Sequence, residues 1–452
     1  MLSDCWWLMV ALTNISNAEL ESDYALINRL RNALDTGSLL TVLRHEWSYL
    51  ANSKTKLCSC EVERVHPRRN QGFVIEYLMG FEGPAGSSMQ RVFGQVPRHN
   101  PRDVFDETIV SLQSRKRRQL SKKYATNHVA LIPALGLILR FPGFDEKIDG
   151  LRLLRDPNWI VTNLSGGTKP FPDHFARSEL LAHRLGKRSV VRLLSDTQEG
   201  EAPNAVIVKL YKRHSQRSAN VAALMRTLSD SNFGGQNNIR LPEIIHEFPM
   251  LPATVMENLS GTPLSELCDR DVASGMALAG RALGTLHDSQ IETNEWFGPD
   301  DEVALLCERV GLAAEVMPEC APLLYKALGN SQRLIENCRS FEATLIHRDF
   351  HEKQILVDGK RAALIDLDTS CMGDPAQDIG NFLAHLKFRE LQTSSDVSSQ
   401  TDAFLDGYRD VRRLPAQARV QAHTKSTLLR MACIYAFSSK WHHLLPRLID
   451  HD

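Results

Sequence analysis

Over roughly the first 260 residues apolar side chains come in short runs that alternate with polar ones. Beyond Asp271 they change to a mixed spacing of three and four. The first pattern predicts strands and the second amphipathic helices. From Cys58 the chain reads as strand, basic turn, strand at 73–77, a loop containing Gly83 and Pro84, and strand at 93–96. From Ser178 the same order returns, with a basic turn at Gly186-Lys187-Arg188, strand at 189–193 and strand at 207–210. Aligning the two copies sets His66 against His183 and Gln95 against Lys209. The match is either an internal duplication or two three-stranded sheets that converged on one layout.

Between the copies, a connector over roughly 100–177 contains Arg115-Lys116-Arg117-Arg118 and Lys122-Lys123. This basic run is either a solvated helix face or a patch for nuclear targeting or an anionic partner. Pro142, Pro157, Pro170 and Pro172, with Gly166-Gly167, predict a loop-rich stretch and a domain boundary near residue 170. A helix is expected at 218–228, then short apolar strands that end near Gly261 and Pro263. Helices follow to the end, interrupted by a strand-rich insert at 344–367. A β-rich half before an α-rich half predicts two lobes with a cleft between them.

Composition narrows the class. The 452 residues carry 53 Lys+Arg against 54 Asp+Glu, and 43% are hydrophobic. These proportions exclude disorder, a collagen-like chain and a protein that coats nucleic acid with a broad basic surface. Nine scattered cysteines make no staple framework, so a reduced, cytoplasmic setting is expected. Cys58-Ser59-Cys60 has the wrong spacing for a zinc pair and fits alternation along a strand. No stretch reaches the ~20 apolar residues that span a bilayer, so no membrane partner is expected. The apolar segment 6–12 follows Asp4 and lacks a basic flank, which favours an inward-packing helix or strand over a signal peptide.

The strand-rich insert carries the chemistry. Asp358-Gly359 is a tight-turn signal joining two apolar strands, so the loop before the first is brought beside the end of the second. Asp349 lies in that loop and Asp366 at that end, with the amide of Gln354 between them. Phosphoryl transfer calls for such a set: a carboxylate to orient a hydroxyl, and oxygen ligands for Mg2+ on nucleotide phosphates.

His347-Arg348-Asp349, then Gln354, then Asp366-Leu367-Asp368, then Gly373-Asp374-Pro375 with Asp378, together resemble the aminoglycoside phosphotransferase branch of the protein-kinase-like fold, over roughly 178–445. The resemblance implies an α+β, bilobal fold with a β-rich N-lobe at 171–260 and a helical C-lobe at 261–452. It leaves 1–170 as an additional N-terminal α+β cap, a possible degenerate copy of the β lobe. Caps of this kind resemble those of some sugar kinases, maltokinase among them.

The resemblance implies Asp349 as catalytic base, and Asp366 as principal Mg2+ ligand with Gln354 and Asp368 beside it. Lys209 becomes the residue that neutralises ATP phosphates; read alone, it is equally the polar face of an edge strand. Backbone groups of Met256, Glu257 and Leu259 stand where the family's hinge meets adenine. His347 is expected as a structural hydrogen-bonding residue, Asp378 as a brace of the catalytic loop, and Arg348 as a carboxylate's partner or a surface residue. The segments 404–408 and 431–437 match helices that usually wall the acceptor pocket.

Two departures from the family pattern stand out. The helix after Lys209 contains no acid to pair with it, so Asn220 or an acid from elsewhere takes that place. No GxGxxG precedes Lys209; Lys187, Arg188 and nearby backbone N–H groups are expected to hold phosphates instead. The expected activity is ATP- and Mg2+-dependent phosphorylation of a hydroxyl on a sugar, aminosugar, aminoglycoside or related polyol. The alternative is a nucleotide-binding pseudokinase or regulatory adaptor.

Overall fold

Two five-stranded antiparallel sheets account for the β-rich half of the chain. In the computed structural model the described residues are 17–449 apart from 69–70, 85, 114–127, 164–173, 196–203, 232, 234, 236–237 and 249–250. The apolar segment 6–12, the basic run at 115–123 and the expected boundary near residue 170 lie outside them. The chain divides into two units, one of residues 1–146 with 315–318 and 437–442, the other of the remainder.

In the first unit, α1 (Asn17–Leu34) and α2 (Thr36–Glu46) precede β1 (Lys56–Arg68), β2 (Gly72–Gly83) and β3 (Gly86–Pro97). Then come α3 (Pro101–Gln113), β4 (Val129–Ile132) and β5 (Leu137–Arg140), and the sheet order is β1-β2-β3-β5-β4. A bulge between Leu57 and Ser59 breaks the alternation expected around Cys58, which is exposed while Cys60 is buried. Gly94 lies against Tyr77, where an added Cβ would come within 2.6 Å of the ring. That space lets Tyr77 reach Ala33 O with its hydroxyl.

The second unit repeats this topology. β6 (Arg177–Arg184), β7 (Arg188–Leu194) and β8 (Ala205–Tyr211) lead to α4 (Arg217–Asp230). A two-residue strand β9 (Ile239–Arg240) comes before β10 (Ile244–Glu247) and β11 (Ala253–Glu257), and the sheet order is β6-β7-β8-β11-β10. Each sheet thus runs first, second, third, fifth, fourth, with a helix after the third strand. Register agrees too: Gln95 pairs with Val74, and Lys209 with Val190, as the alignment of the two segments requires.

Helices then dominate: α5 (Asp269–His287), α6 (Pro299–Val316), α7 (Ala321–Glu336), α8 (Pro375–Thr393), α9 (Ser398–Arg409) and α10 (Gln417–Tyr435). α5 and α9 touch backbone to backbone, because Gly280 meets Phe404 O and Gly407 meets Ala277 O, where any Cβ would come to 2.0 Å. Their contact joins a core of Leu283, Leu286, Phe350, Phe382, Phe404 and Tyr408. Short strands interrupt the helices. β12 (Thr262–Pro263), β14 (Ile355–Asp358), β15 (Arg361–Leu364) and β9 form one small sheet, and β13 (Thr344–Ile346) pairs with β16 (Cys371–Gly373).

Candidate active site

The β14–β15 hairpin turns through Gly359-Lys360, one residue later than the expected Asp358-Gly359, with Gly359 at φ 58° and Asp358 still paired with Arg361. A left-handed residue is what a two-residue hairpin turn needs. Ile365 N–H donates to Gln354 O at 3.0 Å, so the residues flanking the hairpin also stay paired. Asp366 follows immediately, itself at φ 63°, and starts a tight turn over Leu367–Thr369.

The loop before the hairpin is held by buried polar groups. Asp378, fully buried near the start of α8, accepts the N–H of His347 and of Arg348, both at 2.6 Å. His287 Nε2 meets the same carboxylate at 3.1 Å, while its Nδ1 meets Tyr408 Oη at 2.9 Å. Asn381 Nδ2 donates to Phe350 O at 2.8 Å. His347 Nε2 lies 2.9 Å from Ile365 O and therefore carries the proton, which leaves Nδ1 to accept Asp349 N–H at 3.4 Å. The structural part expected of His347 and the bracing part of Asp378 are both visible here. Among the described residues the half-buried Arg348 has no carboxylate partner, and its guanidinium stacks on the Phe297 ring at 3.9 Å.

Asp349 is half-buried, and among the described residues its carboxylate has no hydrogen bond or ion pair. That leaves it available to an incoming hydroxyl. Gln354 is buried, with Nε2 at 3.3 Å from His351 Nε2. Burial pushes the His351 imidazole below its usual pKa, against the pull of the Asp349 charge.

The second cluster joins the sheet to the turn after β15. Strand alternation puts Lys209 and Tyr211 on one face of β8, and cross-strand pairing puts Arg188 opposite Tyr211. All three converge on two carboxylates. Lys209 Nζ donates to Asp366 Oδ1 at 2.8 Å and to Asp368 Oδ1 at 2.7 Å. Arg188 grips both Asp366 oxygens at 2.7 Å and also bonds Asp368 Oδ2. Tyr211 Oη donates to Asp368 Oδ1 at 3.1 Å. Burial alone would raise the Asp366 carboxyl, but the Lys209 ammonium and Arg188 guanidinium hold it well below the usual range. Burial and the Asp368 charge push the Tyr211 phenol well up.

The acid that residues 218–228 lack is thus supplied to Lys209 by Asp366 and Asp368. Asn220 instead lines a cavity of about 320 Å³ with Arg217, Thr227, Trp296, Arg348 and Asp368. Asp368 lies in the tight turn over Leu367–Thr369 and is a buried member of the cluster. Arg217 Nη1 on α4 donates to its carbonyl at 2.8 Å. Lys187 sits in the turn before β7, where its carbonyl accepts Lys212 N–H.

At the expected hinge, Met256 is buried and paired across to Ile207, and Leu259 lies in the loop after β11. Glu257 N–H is already donated to Glu243 O at 2.9 Å, and its carboxylate bonds Arg240. Phe404 and Tyr408 are core, with no exposed surface.

His287, Asn381, Arg217 and Tyr211 were not singled out from the sequence. Tyr211 had a signal, since it follows Lys209 by the two residues of strand alternation.

A model described as the phosphotransferase enzyme family (APH) matches residues 185–421, more than half of the chain. The protein belongs to the aminoglycoside phosphotransferase family. This phosphotransferase has the protein-kinase-like fold, a β-rich sheet followed by helices, and is a small-molecule kinase acting on hydroxyl acceptors. It resembles a choline/ethanolamine kinase family protein from Mesorhizobium loti at 17% identity, covering 62% of this chain and 84% of that one, with a TM-score of 0.43. A macrolide 2'-phosphotransferase from Brachybacterium faecium matches at 16% identity, covering 61% and 92%, with a TM-score of 0.40. An amicoumacin kinase solved with AMP-PNP and Ca2+ matches at 14% identity, covering 65% and 92%, with a TM-score of 0.45. No curated protein matches the phosphotransferase. Among its described residues, no helix is long and apolar enough to cross a membrane.

Proposed function

We propose that the phosphotransferase transfers the γ-phosphoryl group of ATP, with Mg2+, to a hydroxyl of a sugar, aminosugar, aminoglycoside or related polyol. The observation that carries this reading is the pairing of a free Asp349 carboxylate with the Lys209–Asp366–Asp368 cluster at the two ends of one hairpin.

The donor set suits a hard divalent cation. Asp366 and Asp368 already converge on shared positive groups, Lys209 Nζ and Arg188 Nη1, so their oxygens are spaced to share one charged centre. Among the described residues no group of three or more His, Cys, Asp or Glu could hold a metal ion, so two carboxylates would need oxygen donors of another kind beside them. Asp366 and Asp368 would hold the metal with the amide of Gln354, and bound Mg2+ would supply charge neutralisation on the phosphates.

The chain's own groups do the rest. Asp349 orients the acceptor hydroxyl and accepts its proton. Lys209 pairs with phosphate oxygens, and Lys187 at the preceding turn adds a cation. Asp378, His287 and Asn381 keep the Asp349 loop in place, so little reorganisation accompanies transfer. Met256, Glu257 and Leu259 flank adenine; with the Glu257 amide committed to Glu243, hydrogen bonding to the base falls to the carbonyls and to the Leu259 amide.

The first unit is read as a degenerate copy of the β lobe. Shared strand order and register support this, and Gln95 stands where Lys209 stands in the second sheet. Gln95 Oε1 accepts from Arg140 Nη2 at 2.6 Å, and Arg140 Nη1 donates to Glu146 at 2.7 Å, so the equivalent position is filled from within. The assignment is tested by ADP release and product phosphorylation across a polyol and aminoglycoside panel, comparing the native protein with Asp349→Asn. A pseudokinase would bind ATP and release no ADP with any acceptor.

A further inference from the structure

The four carboxylate oxygens of Asp366 and Asp368 are shared unequally. Lys209 takes Oδ1 of both residues. Both Oδ2 atoms are held by Arg188 alone among the described residues, Asp366 Oδ2 through Nη2 at 2.7 Å and Asp368 Oδ2 through Nη1. Two cations face two carboxylates, and the cluster is balanced without any metal. Arg188 is mostly buried, with 17% of its side chain exposed, so this grip is screened little by water.

A divalent cation shared by Asp366 and Asp368 needs the oxygens that Arg188 covers. Both cannot hold them together, since the metal would add two positive charges where the guanidinium already sits. The backbone of Arg188 is fixed by pairing with Arg184 and Tyr211, so release is a side-chain movement. A guanidinium binds phosphate oxygens with the same two-pronged geometry it uses on carboxylate, and a polyphosphate offers it an alternative partner.

We infer that Arg188 is a metal-competing residue: it occupies the cation face of Asp366 and Asp368 and gives it up to a divalent ion only when a nucleoside polyphosphate engages the guanidinium. Metal and nucleotide therefore load together, and metal alone binds poorly. The inference rests on the assignment of Asp366 and Asp368 as metal ligands.

The test is direct Mn2+ binding to the full chain, read from the free Mn2+ signal in electron paramagnetic resonance, with and without AMP-PNP. The native protein is expected to bind Mn2+ weakly alone and tightly with AMP-PNP. Arg188→Met is expected to bind Mn2+ alone about tenfold more tightly or better, which corresponds to about 1.4 kcal/mol. The gain that AMP-PNP adds should shrink in parallel. Arg188→Lys keeps the charge without the two-oxygen grip and should fall between the two. It carries the test if circular dichroism shows Arg188→Met misfolded.

Equal or weaker Mn2+ binding by the folded variant, without nucleotide, overturns the inference. So does a gain that persists when Asp366→Asn is added, because the extra ion would then sit elsewhere. Absence of Mn2+ binding by native protein and variants even with AMP-PNP overturns the metal assignment itself, and the inference with it.

Discussion

Lys209 Nζ lies 2.8 Å from Asp366 Oδ1, joining the third strand of the second sheet to the turn after β15 across 157 positions of sequence. Asp366 Oδ1 also accepts from Arg188 Nη1 at 2.7 Å. Lys209→Met removes one of two cations from a buried carboxylate pair and should lower stability by about 3 kcal/mol. Urea denaturation measures this, and ATP affinity measured on the folded variant should fall as well.

Asp366 also ties stability to pH. Its carboxyl is held well below the ordinary value, so the folded form binds fewer protons than the unfolded chain at acidic pH. Its contribution is present above about pH 4, the ordinary carboxylate range, and is lost as pH falls through the lower folded value. Asp366→Asn should therefore be less stable at neutral pH and lose stability less steeply below about pH 4. Denaturation midpoints of both proteins at several acidic pH values check the sign; parallel curves would contradict it.

Asp378 holds the Asp349 loop through two short bonds to backbone N–H groups. Asp378→Ala would bury both donors without partners, a loss of about 3 kcal/mol. Thermal unfolding measures this, and the variant should also turn over more slowly at temperatures where it stays folded.

Gln95 and Lys209 make opposite predictions for nucleotide contact. Photolabelling of the full chain with 8-azido-ATP should mark peptides within 177–259 and none within 56–140. Labelling centred on the strands around Gln95 would contradict the reading of the first sheet as a lobe that does not bind ATP.

The placing of the Asp349 loop was legible because its geometry is local. Asp358-Gly359 specifies a tight turn, and a tight turn brings Asp349 and Asp366 to neighbouring ends of one hairpin. The doubled sheet was legible for a related reason: period-two alternation sets register, so matched segments predicted that Gln95 and Lys209 would occupy equivalent places. The partner of Lys209 was not legible. Its ligands are 157 and 159 positions away, and a basic turn such as Lys187-Arg188 has the same composition whether solvated or closed onto acids. The contact of Arg348 with Phe297 was not legible either, because Arg348 has a left-handed backbone at φ 69°, which composition does not announce.

Asp349 is proposed to serve as base for phosphoryl transfer to a small-molecule hydroxyl. The most direct measurement is formation of phosphorylated acceptor, followed by mass spectrometry in the presence of ATP and Mg2+, for native protein and Asp349→Asn at matched nucleotide occupancy. Product is expected with the native protein, and a loss of about 10²–10⁴-fold in the variant with ATP affinity nearly unchanged. Equal rates of product formation by the two proteins would contradict it.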